Sequence, residues 1–410
     1  MRSHLSVSLG RAGQIAHHVQ IARRFGAVVS LIALAGSLAA CGASGGIPGL
    51  GGGDPGGASI PVLGATSANS IGTGPVKVGL LLPLSNPNGQ APAAALRNAA
   101  ELAITEFNGQ ELTLIVKDDK GTAEGGAAAA KAAISEGAEL LIGPLFSASV
   151  SGAASVAKTA GRPMIAFSSD QSVAADGVYL LSFLPQADVS RIVRFAASKG
   201  KKSFVVLAPQ TPYGEITAAA FEQAVAAASG TRIVAVQRYP AGGLAAALQA
   251  VGPSLASADT IFIPDTGASI AAIGPALKTA GVGGRLQLLG TGQLAEGGAA
   301  LAGAWYPAPD AAGFASFTNR YNAKFGASPP RVATLAYDAV ALANVLTRTQ
   351  GPARFSTGIL TTASGFGGQD GVFRFKADGT NDRSLAVFQL GASGAKIISP
   401  APKSFSKSGT

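Results

Sequence analysis

The chain has 410 residues, 47% hydrophobic and only 13% charged, with 31 basic residues against 22 acidic and a formal net charge of +9. That length supports two domains with cores of their own. The basic excess is spread thinly, without the basic face and interleaved aromatics that nucleic acid requires. The single cysteine and all three histidines (His4, His17, His18) fall within the first 41 residues. Everything downstream therefore lacks the groups for a Ser-His-Asp triad, a Cys-His dyad or a zinc site built on His or Cys.

The first element is a leader. Arg23-Arg24 precede an apolar stretch over residues 25–35, followed by Leu38-Ala39-Ala40, which is the pattern of a secretory signal peptide. The stretch falls short of the about 20 apolar residues that a transmembrane helix needs. The run Leu38-Ala39-Ala40-Cys41 resembles the lipobox of bacterial lipoproteins. That resemblance implies cleavage before Cys41, acylation of its thiol and a lipid-anchored, periplasm-facing protein; the other reading is a buried cysteine beside an ordinary signal peptide. Gly42 stands where the enteric pattern places an inner-membrane retention Asp, which points to the outer membrane rather than the inner. Four basic residues and no acids precede Cys41, so the remainder carries +5. Residues 42–75 contain 12 glycines, one acid (Asp54) and no base, a composition that cannot order itself and reads as a flexible tether.

From residue 76 short apolar runs alternate with Ala-rich helical runs. Strands are expected over 76–84, 112–116, 140–142 and 163–167, with helices over 93–107, 123–136 and 147–159 between them. The rhythm then restarts, with strands over 203–208, 232–237, 260–264 and 286–289 and helices beginning near Tyr213, Leu244 and Ala268. Continuous apolar strands alternating with helices argue for parallel sheets covered on both faces, and two successive sets argue for two such lobes. Helices are expected over 314–325 and 332–348. Strands over 371–375 and 385–390 read as a hairpin around Asp378-Gly379.

An ordered set of motifs resembles the leucine/isoleucine/valine-type periplasmic binding proteins. It comprises Val78-Gly79-Leu80-Leu81-Leu82-Pro83-Leu84-Ser85 with Gly89; Arg97-Asn98-Ala99-Ala100-Glu101-Leu102-Ala103; Asp118-Asp119; Ile142-Gly143-Pro144 with Ser147; Pro163-Met164-Ile165 with Ser168; Tyr213-Gly214; and Gly371-Val372-Phe373-Arg374-Phe375 with Asp378-Gly379. The resemblance implies an α/β chain of two doubly wound parallel-sheet lobes, joined by three crossings and closing by a hinge on a ligand in the cleft between them. The expected organisation is a signal peptide at 1–40, a lipidated cysteine and tether at 41–75, a first lobe at 76–184 plus 306–366, a second at 185–305 plus 367–395, and a tail at 396–410.

Ligands of open parallel sheets sit off the carboxyl ends of the strands, so the residues there are the candidates. Ser85 follows the first strand. Ser147 opens a helix, where it either caps the helix or, as the family uses a serine, receives a ligand carboxylate with the free amides. Ser168, Ser169 and Asp170 follow the fourth strand. Asp170 either pairs with an ammonium or caps the next turn. Tyr213 offers a ring and a hydroxyl, or packs between lobes. Asp265 and Gln293 complete the second rim. Glutamine at 293 departs from the acid that amino-acid binders place nearby, unless Asp170 or Asp265 substitutes. Asp118 and Asp119 read as structural ties between strand end and helix start. Ser155-Val156-Ala157-Lys158 matches the Ser-x-x-Lys of penicillin-recognising enzymes, but no Lys-Thr-Gly or Ser-Asp-Asn follows.

The function these residues suggest is capture of an amino-acid-like or other small polar solute for an ABC importer, with no catalytic residues, no metal, no cofactor and membrane contact through the lipid alone. The same fold occurs in penicillin-binding-protein activators, lipoproteins that touch peptidoglycan synthases. The long tether, Gly42 and the segment 167–174 with Phe183-Leu184-Pro185 favour that branch, and the missing preceding helical repeats speak against it.

Overall fold

The computed structural model describes residues 69–405. Cys41, the leader and most of the tether lie outside the described residues.

The first sheet is built from β1 (Ser70–Ile71), β2 (Val76–Leu82), β3 (Leu112–Asp118), β4 (Leu140–Ile142), β5 (Met164–Ala166) and β6 (Val178–Leu180), in the spatial order β1-β3-β2-β4-β5-β6. All pairings are parallel except that of β1, which runs antiparallel to β3. Ser70 and Ile71 thus leave the tether and extend the sheet. The connecting helices are α1 (Gln90–Glu106), α2 (Ala123–Ser135) and α3 (Ser147–Thr159). Because β2 and β4 are buried throughout apart from Lys77, their Val and Leu residues serve two cores, one on each face. α2 and α3 form one face with a core of alanines and small aliphatics. Their close approach depends on Gly152, where a Cβ would lie 1.9 Å from the Ala123 carbonyl oxygen.

The chain then enters the second sheet through α4 (Pro185–Ser198), β7 (Ser203–Pro209), α5 (Pro212–Ala227), β8 (Arg232–Tyr239), α6 (Leu244–Ala250), α7 (Gly252–Leu255), β9 (Thr260–Phe262), α8 (Ile273–Thr279), β10 (Gln287–Leu289) and β11 (Trp305–Ala308). These strands stand in the order β8-β7-β9-β10-β11, which repeats the β3-β2-β4-β5-β6 arrangement of the first sheet. α4 and α5 cover one face, with Phe221 stacked on Phe262 at 4.1 Å between centroids and edge-on to Phe204. α6, α7 and α8 pack into the core of the other face.

The chain next returns to the first core with α9 (Ala311–Phe325) and α10 (Ala333–Thr349), which pack beside α1. After α11 (Thr357–Leu360), β12 (Phe366–Gly368), β13 (Gly371–Phe375) and β14 (Asn381–Arg383) make a separate three-stranded sheet. Here the structure corrects the expected hairpin. Asp378-Gly379 does form a turn, with Gly379 at φ 82° and the Thr380 amide donating to Asp378 Oδ1. The turn, however, returns β13 onto β14 and not onto residues 385–390. The physical reason is burial: Phe373 and Phe375 face the first core. Residues 367–383, expected in the second lobe, therefore stand with the first, whereas residues 306–308, expected in the first lobe, belong to β11 of the second sheet.

β15 (Ala386–Gly391) pairs antiparallel with β11, and β16 (Gly394–Ser399) pairs with β15 at the edge of the second sheet. Residues 396–399 were expected in a tail but belong to this strand. Arg191 of α4 fastens the end of it, donating to the Ser399 hydroxyl at 2.7 Å and to the Leu385 carbonyl at 2.7 Å.

Candidate functional site

Each of the two large sheets has one point at which successive connections leave in opposite directions. In the first sheet it falls between β2 and β4, in the second between β7 and β9. Crevices outside the carboxyl ends of strands at such points are where open α/β sheets hold ligands.

On the first sheet, the loop after β2 carries Ser85, which is exposed. Its amide donates to Asp118 Oδ1 at 3.2 Å, and the Lys120 amide donates to the same oxygen at 3.0 Å. Burial works to raise the Asp118 carboxyl, but the Ser85 hydroxyl and these amides outweigh it and hold it below the ordinary value. Asp119 is fully buried and receives the Gly121 amide at 2.7 Å and the Ser149 hydroxyl at 3.0 Å. Both aspartates are structural ties, but Asp118 joins the end of β3 to the loop after β2, and Asp119 joins it to the turn before α2 and to Ser149 of α3.

The loop after β4 turns sharply. Gly143 lies at φ 87°, and a Cβ there would meet the Leu81 carbonyl oxygen at 2.1 Å, so only glycine fits. The turn delivers Ser147 as the first residue of α3. The capping position is occupied by Phe146, whose side chain cannot cap, so Ser147 is not the N-cap. An α-helix leaves its first amides without intrahelical acceptors, and here those amides open at the switch point beside the Ser147 hydroxyl. The Phe146 ring lies close over Gly89 and Gly121, forming an apolar wall beside them.

After β5, Ser168 is buried and its hydroxyl accepts the Asp170 amide at 3.1 Å, while Ser169 is exposed. Asp170 caps a 3-10 turn, Gln171–Val173, accepting the Ser172 amide at 3.0 Å and the Ser172 hydroxyl at 2.7 Å. These bonds, with a further one from the Ser147 hydroxyl, lower its pKa. The structure therefore brings Ser147, Ser168 and Asp170 together and gives Asp170 the capping role.

On the second sheet, Thr211 caps α5 through the Gly214 amide, placing Tyr213 in the first turn. The Tyr213 hydroxyl bonds Thr291 Oγ1 at 2.9 Å, and burial pushes the phenol up to about 12. Gln293 is exposed two residues beyond Thr291. Asp265 is only 5% exposed and accepts the Tyr239 hydroxyl at 2.6 Å, with burial raising its carboxyl. Asp265 is thereby committed to the protein.

One residue of this rim carries no signal in the motifs singled out above. Asp188, in the first turn of α4, accepts the Gly292 amide at 2.9 Å through Oδ2, and its charge is felt at Tyr213. Burial pushes it up to about 7, against the pull of the Gly292 amide. An acid thus stands beside Gln293 after all, reached across 104 residues. The local clue was Pro185 with an acid three positions on, the mark of a helix start.

Ser155 and Lys158 both lie exposed on α3. Among the described residues no cluster of three His, Cys, Asp or Glu side chains could hold a metal ion, and no helix is long and apolar enough to cross a membrane.

A family profile described as periplasmic binding protein matches residues 75–395. The chain belongs to the periplasmic binding protein family. Solved structures share its fold. A branched-chain amino acid ABC transporter periplasmic ligand-binding protein from Burkholderia xenovorans superposes with a TM-score of 0.64 at 16% identity, over 80% of this chain and 96% of that one. An ABC transporter substrate-binding protein from Desulfitobacterium hafniense, in complex with Leu, gives 0.58 at 22% identity over 80% and 100%. An ABC transporter solute-binding protein from R. palustris, in complex with benzoate, gives 0.54 at 19% over 81% and 98%. No curated protein sequence matches the chain. The two-lobed, doubly wound architecture expected from the motifs is that of this periplasmic binding protein.

Proposed function

We propose that the protein captures an amino-acid-like or other small polar solute between its two lobes and delivers it to an ABC importer, as a binder without catalysis. The observation that carries this reading is the pair of switch points with complementary chemistry. The uncapped start of α3 suits a carboxylate through its free amides, the Ser147 hydroxyl being bonded to Asp170. The Tyr213–Thr291 pair, with Asp188 behind Gly292 and Gln293 alongside, suits a cationic or hydrogen-bonding group. The other sequence candidates support these roles: Ser85 and Ser168 line the first rim, with Ser169 at its exposed edge. Leu and benzoate, bound in two of the solved neighbours, both carry a carboxylate, which fits the first rim. The chain crosses between the lobes at 181–185, 308–311 and 383–386, and hinge closure at these crossings would bring the rims together. The leader and Cys41 make the protein extracytoplasmic and lipid-anchored, with the outer membrane favoured by Gly42.

The test is thermal unfolding of the unit Thr66–Thr410 against amino acids, aromatic carboxylates, short peptides and muropeptides. A ligand at about 100 times its Kd adds roughly 2.7 kcal/mol to the folded state, enough to raise Tm by a few degrees. A shift with one chemical class identifies the solute. A flat response across the panel sinks the transport reading and favours the synthase-activator role, to be pursued by pull-down with peptidoglycan synthases.

A further inference from the structure

A cavity of about 310 Å3 opens between α4, α5 and the β13–β14 hairpin, and none of Ser147, Tyr213, Asp265 or Gln293 lines it. One wall belongs to the helices of the second sheet; the other is carried by the hairpin that packs into the first core. Its charge is lopsided. Arg194, Arg374, Lys376 and Arg383 line it against a single acid, Asp382. That acid is already held by Arg374 at 2.8 and 2.9 Å. Lys376 has only Asp378 at 3.6 Å, and Asp378 also accepts from the amide and hydroxyl of Thr380. Arg194 finds no acidic partner among the described residues and bonds only the Ser190 carbonyl of its own helix.

Arg383 contributes field more than contact. Its guanidinium is buried over the Phe183 ring at 4.5 Å, with Nε donating to the Ser182 carbonyl and both terminal nitrogens lacking an acceptor. The acids whose charge reaches Arg383 are poor counter-charges: Asp370 is engaged by Arg331 and Thr334, and burial pushes Asp338 up to about 7. Gln186 and Gln223 add neutral hydrogen-bonding groups to the lining. A cavity of this size with a surplus of guanidinium and ammonium groups matches the chemistry of a compact anion with several oxygens.

We propose that this cavity is a second binding site, separate from the solute site, for a small multiply charged oxyanion such as phosphate or a di- or tricarboxylate. Because Arg194 stands on one lobe and Lys376 on the other, the anion bridges the lobes beside the crossings. It therefore favours whichever degree of closure lets both groups reach it.

Calorimetric titration of the full chain with inorganic phosphate and, separately, citrate in low-salt buffer tests the site, using Arg194→Gln, Lys376→Gln and Tyr213→Ala. The first two residues line the cavity with only weak, exposed contacts, Lys376 to Asp378 and Arg194 to the Ser190 carbonyl of its own helix, so the variants should melt close to the parent in the absence of anion. Each should weaken anion binding roughly tenfold through loss of a charge-assisted bond, whereas Tyr213→Ala should leave it intact. Phosphate binding alone would identify an inorganic ligand, citrate binding alone a polycarboxylate, and either supports the site. No heat with either anion up to about 10 mM, an affinity in the range of only a few kcal/mol, overturns the proposal. So does binding that survives both charge variants within twofold, or binding lost with Tyr213→Ala.

Discussion

Asp338 makes the structure's most direct statement about pH. It sits in α10, 3% exposed, with Oδ1 accepting the Gln369 amide at 2.9 Å and Oδ2 buried without a partner. Burial raises its pKa from 3.8 to about 7, against the pull of the Gln369 amide and the Arg383 charge. The folded form therefore holds a proton that the unfolded chain has released between about pH 4 and pH 7. Stability from this group is present at low pH, falls as pH rises through that window, and is flat above it. Over the full window this amounts to about 4 kcal/mol, at 1.36 kcal/mol per pH unit. Asp338→Asn keeps an acceptor for Gln369 and removes the titration. The amide nitrogen it introduces costs about 1–3 kcal/mol if left unpaired, but that cost does not depend on pH. Comparing variant with parent cancels every other titrating group. Between pH 5 and pH 8 the difference in unfolding free energy should move by about 3 kcal/mol in favour of the variant. Urea unfolding followed by far-UV circular dichroism at those two pH values measures it. A difference that stays constant with pH would show that Asp338 is ionised in the folded protein at pH 5 and would refute the reasoning.

Asp188→Asn tests the second rim in the same way. Its carboxyl titrates near 7, so an ammonium-bearing ligand should bind the parent more tightly at pH 8 than at pH 6, and the variant should lose that dependence; tighter binding at pH 6 would place the ammonium elsewhere. Gly143→Ala forces a Cβ against the Leu81 carbonyl in a left-handed turn, at a cost of about 1–3 kcal/mol for the backbone strain. It should also weaken ligand binding by displacing the start of α3. An alanine protein with unchanged melting and affinity would remove Gly143 from the site.

Much of this molecule was legible from local pattern. The two runs of alternating strand and helix gave the doubly wound sheets, because a strand buried on both faces must be continuously apolar and its flanking helices amphipathic. The residues following those strands include the groups now found at the switch points, since the carboxyl end of a parallel strand is a place the chain order itself names. The Asp378-Gly379 turn was legible too. Its partner strand was not: whether 371–375 pairs with 381–383 or with 385–390 depends on which core takes Phe373 and Phe375.

The elements at and beyond the crossings escaped for the same reason. β6, α4 and β11 lie where the chain changes lobe, and β16 has an exposed, weakly patterned sequence that becomes a strand only against β15. Asp188 and Gly292 are 104 residues apart, and the cationic cavity draws on α4, α5 and the hairpin at once. Sequence by itself determined the alternating strands and helices within each lobe and the residues at their strand ends, because hydrophobic periodicity and turn chemistry act within a few residues. Only the tertiary structure decided which acid reaches the Gln293 rim and which cations share a cavity, because electrostatic neighbours are set by how whole layers pack.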